Sequence, residues 1–140
     1  MAGFIPVNYG GKKPPAVEYL PAAAITPKLG LCLGFDANGR LAVSAKPAYI
    51  CMTEAAAAVT AGTVIPVQKI EDTTIYEAEL DGASSFKAGY FVDVASDGLK
   101  VDGDGTTNAN FCLLTAGTAA GDKVRGRFVL PNGVTGNTGS

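Results

Sequence analysis

Two stretches of the chain share one grammar, and that repetition limits the fold more than any other feature. Residues 28–43 read KLGLCLGFDANGRLAV, and residues 87–101 read KAGYFVDVASDGLKV. Each runs Lys, one residue, Gly, an apolar run, an Asx-Gly turn at Asn38-Gly39 or Asp97-Gly98, then Leu-x-Val. Asx-Gly between short apolar runs supplies residues tolerant of positive φ, so each stretch is predicted to be a β-hairpin. The parallel extends further, with Cys51 falling with Cys112 and Ala61-Gly62 with Ala120-Gly121. Two explanations fit: convergence of ordinary hairpin grammar, or duplication of a small β unit over 28–70 and 87–129, packed as a pseudo-symmetric pair. Duplication is the favoured one.

The rest of residues 23–130 reads as strands and turns of one β-rich body. TVIPVQKI (63–70) and TTIYEAEL (73–80) are strands. In the second, Tyr76, Ala78 and Leu80 alternate with Ile75, Glu77 and Glu79, the period-2 pattern of a strand with one wetter face. Pro66 argues for an edge strand or a bulge, because it has no N–H for a ladder. TEAAAAVTAG (53–62) is a short helical turn or a loop. The expected class is all-β, with at most one or two short helical turns and a compact β-barrel or β-tulip-like body. Residues 1–22 carry Pro6, Pro14, Pro15 and Pro21 among isolated apolar residues and hold neither period, so they read as an extended N-terminal arm that lies on something else. PNGVTGNTGS (131–140) has almost nothing to bury and reads as a flexible tail.

Composition removes several function classes. The 140 residues suffice for one real core without staples. A net charge of −2 gives no basic excess to draw the chain to nucleic acid or acidic lipid. There is no His, so triads of the Ser-His-Asp or Cys-His kind cannot form within one chain, and there is no Trp to build a sugar-binding platform. Cys32, Cys51 and Cys112 sit in apolar runs at wide spacing; they read as free thiols acting as small hydrophobes, which fits assembly in a reducing cytoplasm. No signal peptide is expected in MAGFIPVNYGGKK, and no run reaches the ~20 apolar residues of a membrane span.

No motif for chemistry survives inspection. VDGDGTTNAN (101–110) spaces Asp102 and Asp104 like a calcium loop, but the later bidentate Glu is missing and Asp-Gly is an ordinary turn former. GTAAGDK (117–123) has too short a spacing for a phosphate loop. Lys123, Arg125 and Arg127 share one face of a strand. They can contact phosphate, face solvent, or pair with the acidic face of Glu77 and Glu79 on a neighbouring strand or subunit. No catalytic residue, cofactor site or metal site is expected, and the chain reads as a non-enzyme.

Residues 21–80, from PAAAITPKLGLCLGF through AYICMTEAAAAV and AGTVIPV to TTIYEAEL, resemble the capsid decoration, or cement, proteins of tailed bacteriophages, the lambda-type head decoration protein among them. The resemblance lies in the order of segments: a prolyl arm, an apolar strand, a turn, Leu-x-Val and an Ala-rich strand. It implies a β-rich body on the outer surface of the virion head, bound to the major capsid protein, often as a homotrimer, and made in the bacterial host's cytoplasm. It also implies a capsid-binding arm, carried here by Phe4, Ile5, Pro6, Val7, Tyr9, Pro14, Pro15, Val17 and Tyr19. On that reading, removing residues 1–20 leaves a folded body. The second unit, 82–130, exceeds what a lambda-type protein needs. The competing readings are another virion component, such as a head-fibre base or tail part, and a carbohydrate-binding β module using Tyr49, Tyr76 and Tyr90.

Overall fold

The computed structural model describes residues 3–129, which form strands and turns with no helix among them. The strands are β1 (Ile5–Asn8), β2 (Val17–Pro21), β3 (Cys32–Phe35), β4 (Leu41–Val43), β5 (Tyr49–Cys51), β6 (Val64–Lys69), β7 (Ile75–Leu80), β8 (Phe91–Val92), β9 (Lys100–Val101), β10 (Phe111–Leu113) and β11 (Lys123–Phe128). One sheet has the order β2-β6-β5-β3-β4; the other has the order β1-β7-β11-β10-β8, with β9 alongside β7. The chain is all-β, as its turn-rich sequence predicts. Each sheet curls toward a barrel without a full closing ladder: a single bridge, Ala22 to Leu41, joins β2 to β4, and Val94 to Val101 joins the end of β8 to β9.

Apart from β1, the two sheets repeat one figure. β2, β6, β5, β3 and β4 correspond in order to β7, β11, β10, β8 and β9. Two of the turns match bond for bond. Leu31 N–H donates to the Lys28 carbonyl as Tyr90 N–H does to Lys87, and Gly62 N–H donates to Ala22 as Gly121 N–H does to Leu80. The repeating unit therefore begins at β2, ahead of the Lys28 where the sequence parallel starts.

Two of the sequence matches are corrected by register. Ile50 lies opposite Cys32, and Cys112 lies opposite Phe91, so Cys112 takes the place of Ile50 and Leu113 that of Cys51. A one-residue slip in a strand reverses its face, which is why Cys51 is in the first core while Cys112 is half-buried on the other side. Likewise Leu41 corresponds to Val101, not Leu99, because the second turn holds one residue more: Asp36 N–H reaches Arg40, whereas Ala95 N–H reaches Lys100. The extra residue, Leu99, packs against the first unit's core.

That turn is also where the units join. Cys32 N–H donates to the Gly98 carbonyl at 2.9 Å, and a Cβ on Gly98, at φ +71, would stand 2.7 Å from Val43 Cγ1. Only glycine fits both the backbone and the space. Leu31, Leu33, Leu41, Cys51, Ile65 and Val67 form the first core. The second gathers Tyr76, Ala78, Leu80, Phe111, Leu113 and Phe128, and it also takes in Cys32, Ile50 and Ile70 from the first unit. A shared apolar boundary makes the two units one body.

Residues 3–22 hold two strands with a turn at residues 9–12 between them, and they do not form an arm separate from that body. β1 pairs antiparallel with β7, and β2 pairs along its whole length with β6. Phe4 is 0% exposed, its ring 5.3 Å from Phe111 and 5.5 Å from Phe128. The prolines conceal this from a periodicity reading because they cut the pairing segments to four or five residues. Cutting away 1–20 thus removes one strand from each sheet and a core ring.

Two smaller expectations also change. β6 is interior, between β2 and β5, although it holds Pro66. The proline is tolerated because β5 ends at Cys51: the Pro66 carbonyl still accepts Met52 N–H, and its missing donor faces the point where the ladder has stopped. Residues 53–62 form a loop and not a helical turn, tied across by Ala55 N–H to Pro27 and Val59 N–H to Ile25. A single alanine-rich turn cannot meet the cost of helix nucleation against those ties. The tail expected over 131–140 lies outside the described residues.

Candidate functional site

Matched strands in the two units carry opposite surfaces. On the outer face of β7 and β11, Arg125 lies opposite Glu77 and Lys123 opposite Glu79. Arg125 Nε donates to Glu77 Oε2 at 3.0 Å, so of the three readings of the basic stripe, pairing within the chain is the one present for Arg125. Arg127, opposite Cys112 on β10, is half-buried at the other end of the stripe. Both partners of the ion pair reach solvent, and such pairs contribute little beyond register.

The same positions on β2 and β6 are mainly apolar. Tyr19 stands opposite Pro66 and Pro21 opposite Val64, while Val17 lies opposite the buried, polar Gln68 at one end. Tyr19 is 69% exposed, Val64 55% and Val17 44%. The inner parity of the same strands, Leu20, Ala22, Ile65 and Val67, supplies the first core. Apart from Glu18, half-buried on the inner side opposite Val67, both faces of this strand pair are thus mainly apolar, and only one is covered by the protein itself. A contiguous, exposed apolar surface of this kind is the usual mark of a protein–protein contact.

One end of the face is fixed by the segment that crosses between the sheets. Tyr9 Oη donates to Gln68 Oε1 at 3.4 Å, and Gln68 Nε2 donates to the Pro15 carbonyl at 3.0 Å. Gln68 is buried by this arrangement. Of the residues assigned to a capsid-binding arm, Val17 and Tyr19 are on the exposed face, while Val7 and Pro14 are exposed elsewhere along the segment. Ile5, Pro6, Tyr9 and Pro15 are half-buried. Phe4 is enclosed in the second core and is not available to a partner. Val64, Pro66 and Pro21 belong to the face but are not among the site residues read from the sequence. Their signal was there: β6 is apolar at both parities from Val64 to Val67, unlike the clean alternation of β7.

The chain's other polar features serve its own turns. Asp93 is buried, and its carboxylate accepts the N–H groups of Thr107, Asn108 and Ala109 at 2.7–2.9 Å, holding the loop before β10. Asp102 accepts Asp104 N–H and Asp81 accepts Gly103 N–H, as in an ordinary turn. A hydrogen bond that the protonated Asp104 carboxyl donates to the Asp102 carboxylate, together with Asp102's charge, raises the Asp104 carboxyl above its usual range. Beside it lies a groove of 490 Å³ lined by Ala83, Ser84, Ser85, Phe86, Gly103 and Asp104, and none of these residues holds a buried, unpartnered side-chain polar atom. Among the described residues no three His, Cys, Asp or Glu side chains converge as metal ligands.

The thiols are free, and burial pushes those of Cys32 and Cys51 up, away from the reactive thiolate. Tyr76, one of the three tyrosines considered for a sugar platform, is in the core. Comparison with known proteins gives no match to a family model and none to a curated protein.

Proposed function

We propose that this protein is a non-enzymatic capsid decoration protein of a tailed phage, binding the major capsid protein on the outer surface of the head and stiffening the shell. The observation that carries the reading is the contrast between matched faces: the β2–β6 face is apolar and exposed, and its counterpart on β7–β11 is charged. A cement needs one surface that adheres to protein and another that stays wet. A doubled β body gives breadth and stiffness to such a layer, and the segment order over residues 21–80 resembles that of the decoration proteins. Many modest contacts on one shell add up through effective concentration, so each site need not bind tightly.

In this reading Val17, Tyr19, Pro21, Val64 and Pro66 face the shell, and the protein binds as a trimer. The test is sedimentation of the full-length protein with purified heads, empty and full, alongside its own oligomeric mass. Saturable co-sedimentation is expected. Failure to co-sediment with heads of the phage that encodes it overturns the assignment.

A further inference from the structure

The repeat shows one more difference, at the edge of β2. In an antiparallel ladder, alternate residues turn their N–H and C=O to the neighbour and the others turn theirs away. Ala22 bonds to Thr63 and Gly62 on the β6 side, which sends the main-chain groups of Leu20 and Glu18 toward β6 and those of Val17 and Tyr19 away from it. In the second unit Leu80 bonds in the same way to Asp122 and Gly121, so the groups of Ile75 and Glu77 point away from β11. There they are covered: β1 lies antiparallel along this edge, with Ile5 opposite Glu77 and Asn8 opposite Ile75. Over Val17–Leu20 of the first unit, no described strand takes that place.

We propose that the free edge of β2 is a strand-acceptor site, filled by an extended segment of a different protein chain in the position that β1 occupies on β7. The covered edge specifies the occupant's chemistry: about four residues, antiparallel, apolar, with an aromatic residue at the end that corresponds to Phe4. Phe4 rests edge-on against Phe111, and Phe111 corresponds to Tyr49, against whose ring the half-exposed Phe35 stands edge-on at 5.8 Å. Added strands of this kind gain main-chain hydrogen bonds for affinity and side-chain pockets for specificity.

The β2 edge of a second copy of this chain is the wrong partner for this edge. A two-fold pairing of β2 with β2 has three registers within reach of Val17 and Tyr19. One sets Glu18 against Glu18, and the other two set Pro15 or Pro21, which lack donors, against Tyr19 or Val17. The site does not depend on the shell-binding reading, although a segment of a shell subunit would satisfy it.

The probe is a synthetic peptide of the chain's own β1 sequence, Gly-Phe-Ile-Pro-Val-Asn, titrated into the ¹⁵N-labelled full-length protein. Binding at about 1 mM or tighter is expected, with shifts at the amides of residues 17–20 and protection of Val17 and Tyr19 N–H from exchange. Tyr19→Pro removes the outward donor while leaving the bonds to β6, and it should weaken the peptide at least about ten-fold with the melting curve retained. Cross-relaxation between the peptide and the β2 amides in the unmodified protein decides the point even if that variant does not fold. Shifts confined to β7, which mean exchange with β1, overturn the proposal, as does no binding. So does a dimer abolished by Tyr19→Pro.

Discussion

Replacing Phe4 by Ala asks whether the N-terminal segment belongs to the body. The side chain is fully enclosed and stacks edge-on against Phe111 and at a tilt against Phe128, so truncation leaves a ring-sized void in the second core. Phe-to-Ala changes in cores cost about 3–5 kcal/mol. Here the lower end is expected, because β1 is short and lies at the outer edge of its sheet: once its anchor is gone, it can lift off β7 and let water reach the void. About 3 kcal/mol corresponds to a drop of about 12 °C in Tm for a chain of this length. Urea and thermal unfolding of Phe4→Ala and of unmodified protein, followed by circular dichroism, measure the difference. Amide exchange then locates it, with loss of protection at Ile75 and Glu77 expected. A cost below about 1 kcal/mol with protection at β7 unchanged would refute the claim that residues 3–8 are part of the fold.

Other outcomes follow from the same geometry. Gly98→Ala places a Cβ against Val43 in a positive-φ turn and should cost at least about 2 kcal/mol in urea unfolding, whereas Gly39→Ala, with nothing near its Cβ, should show only the smaller backbone strain. Asp93→Ala leaves three N–H groups without their acceptor; a loss of about 2–3 kcal/mol and faster amide exchange at residues 107–109 are expected. The Asp122 carboxyl is held below its usual range by N–H donation from Thr118 and Ala119. Its contribution is therefore present above the unfolded-state pKa of about 3.9 and is lost as pH falls through the lower folded value. Asp122→Asn should be less stable than the parent at pH 7, with the gap closing below about pH 4 in parallel pH-resolved melts. Under native conditions a thiol reagent should label Cys112 before Cys32 or Cys51.

The sequence discloses β7 and β11 most readily, because their burial alternates residue by residue as their side chains do. It also discloses the doubling, since the Lys-x-Gly openings and Asx-Gly turns are local features. What it conceals is non-local. β2 is only five residues long, follows Pro14-Pro15 and ends on Pro21, so it resembles a tail segment until its pairing with β6 is known. The match of Cys51 to Cys112 and of the two Leu-x-Val pairs fails by one or two positions, because loop lengths differ between the units and strand register, not residue identity, fixes the face. Pro66 misleads for a related reason: the ladder it would interrupt has already ended at Cys51. The exposed face on β2 and β6 becomes visible only when the paired strands are set beside the charged pair they match.

The most direct measurement compares two surface variants of the full-length protein for occupancy on purified heads, after melting curves show both to be folded. Tyr19→Asp with Val64→Lys puts opposite charges on the apolar β2–β6 face, and Lys123→Glu with Arg125→Glu alters the charged β7–β11 face. Shell binding through β2–β6 predicts that the first variant falls to about a tenth of normal occupancy or less, a loss of at least about 1.4 kcal/mol per site, while the second binds as the parent does. Full occupancy by the first variant, or loss by the second alone, would contradict it.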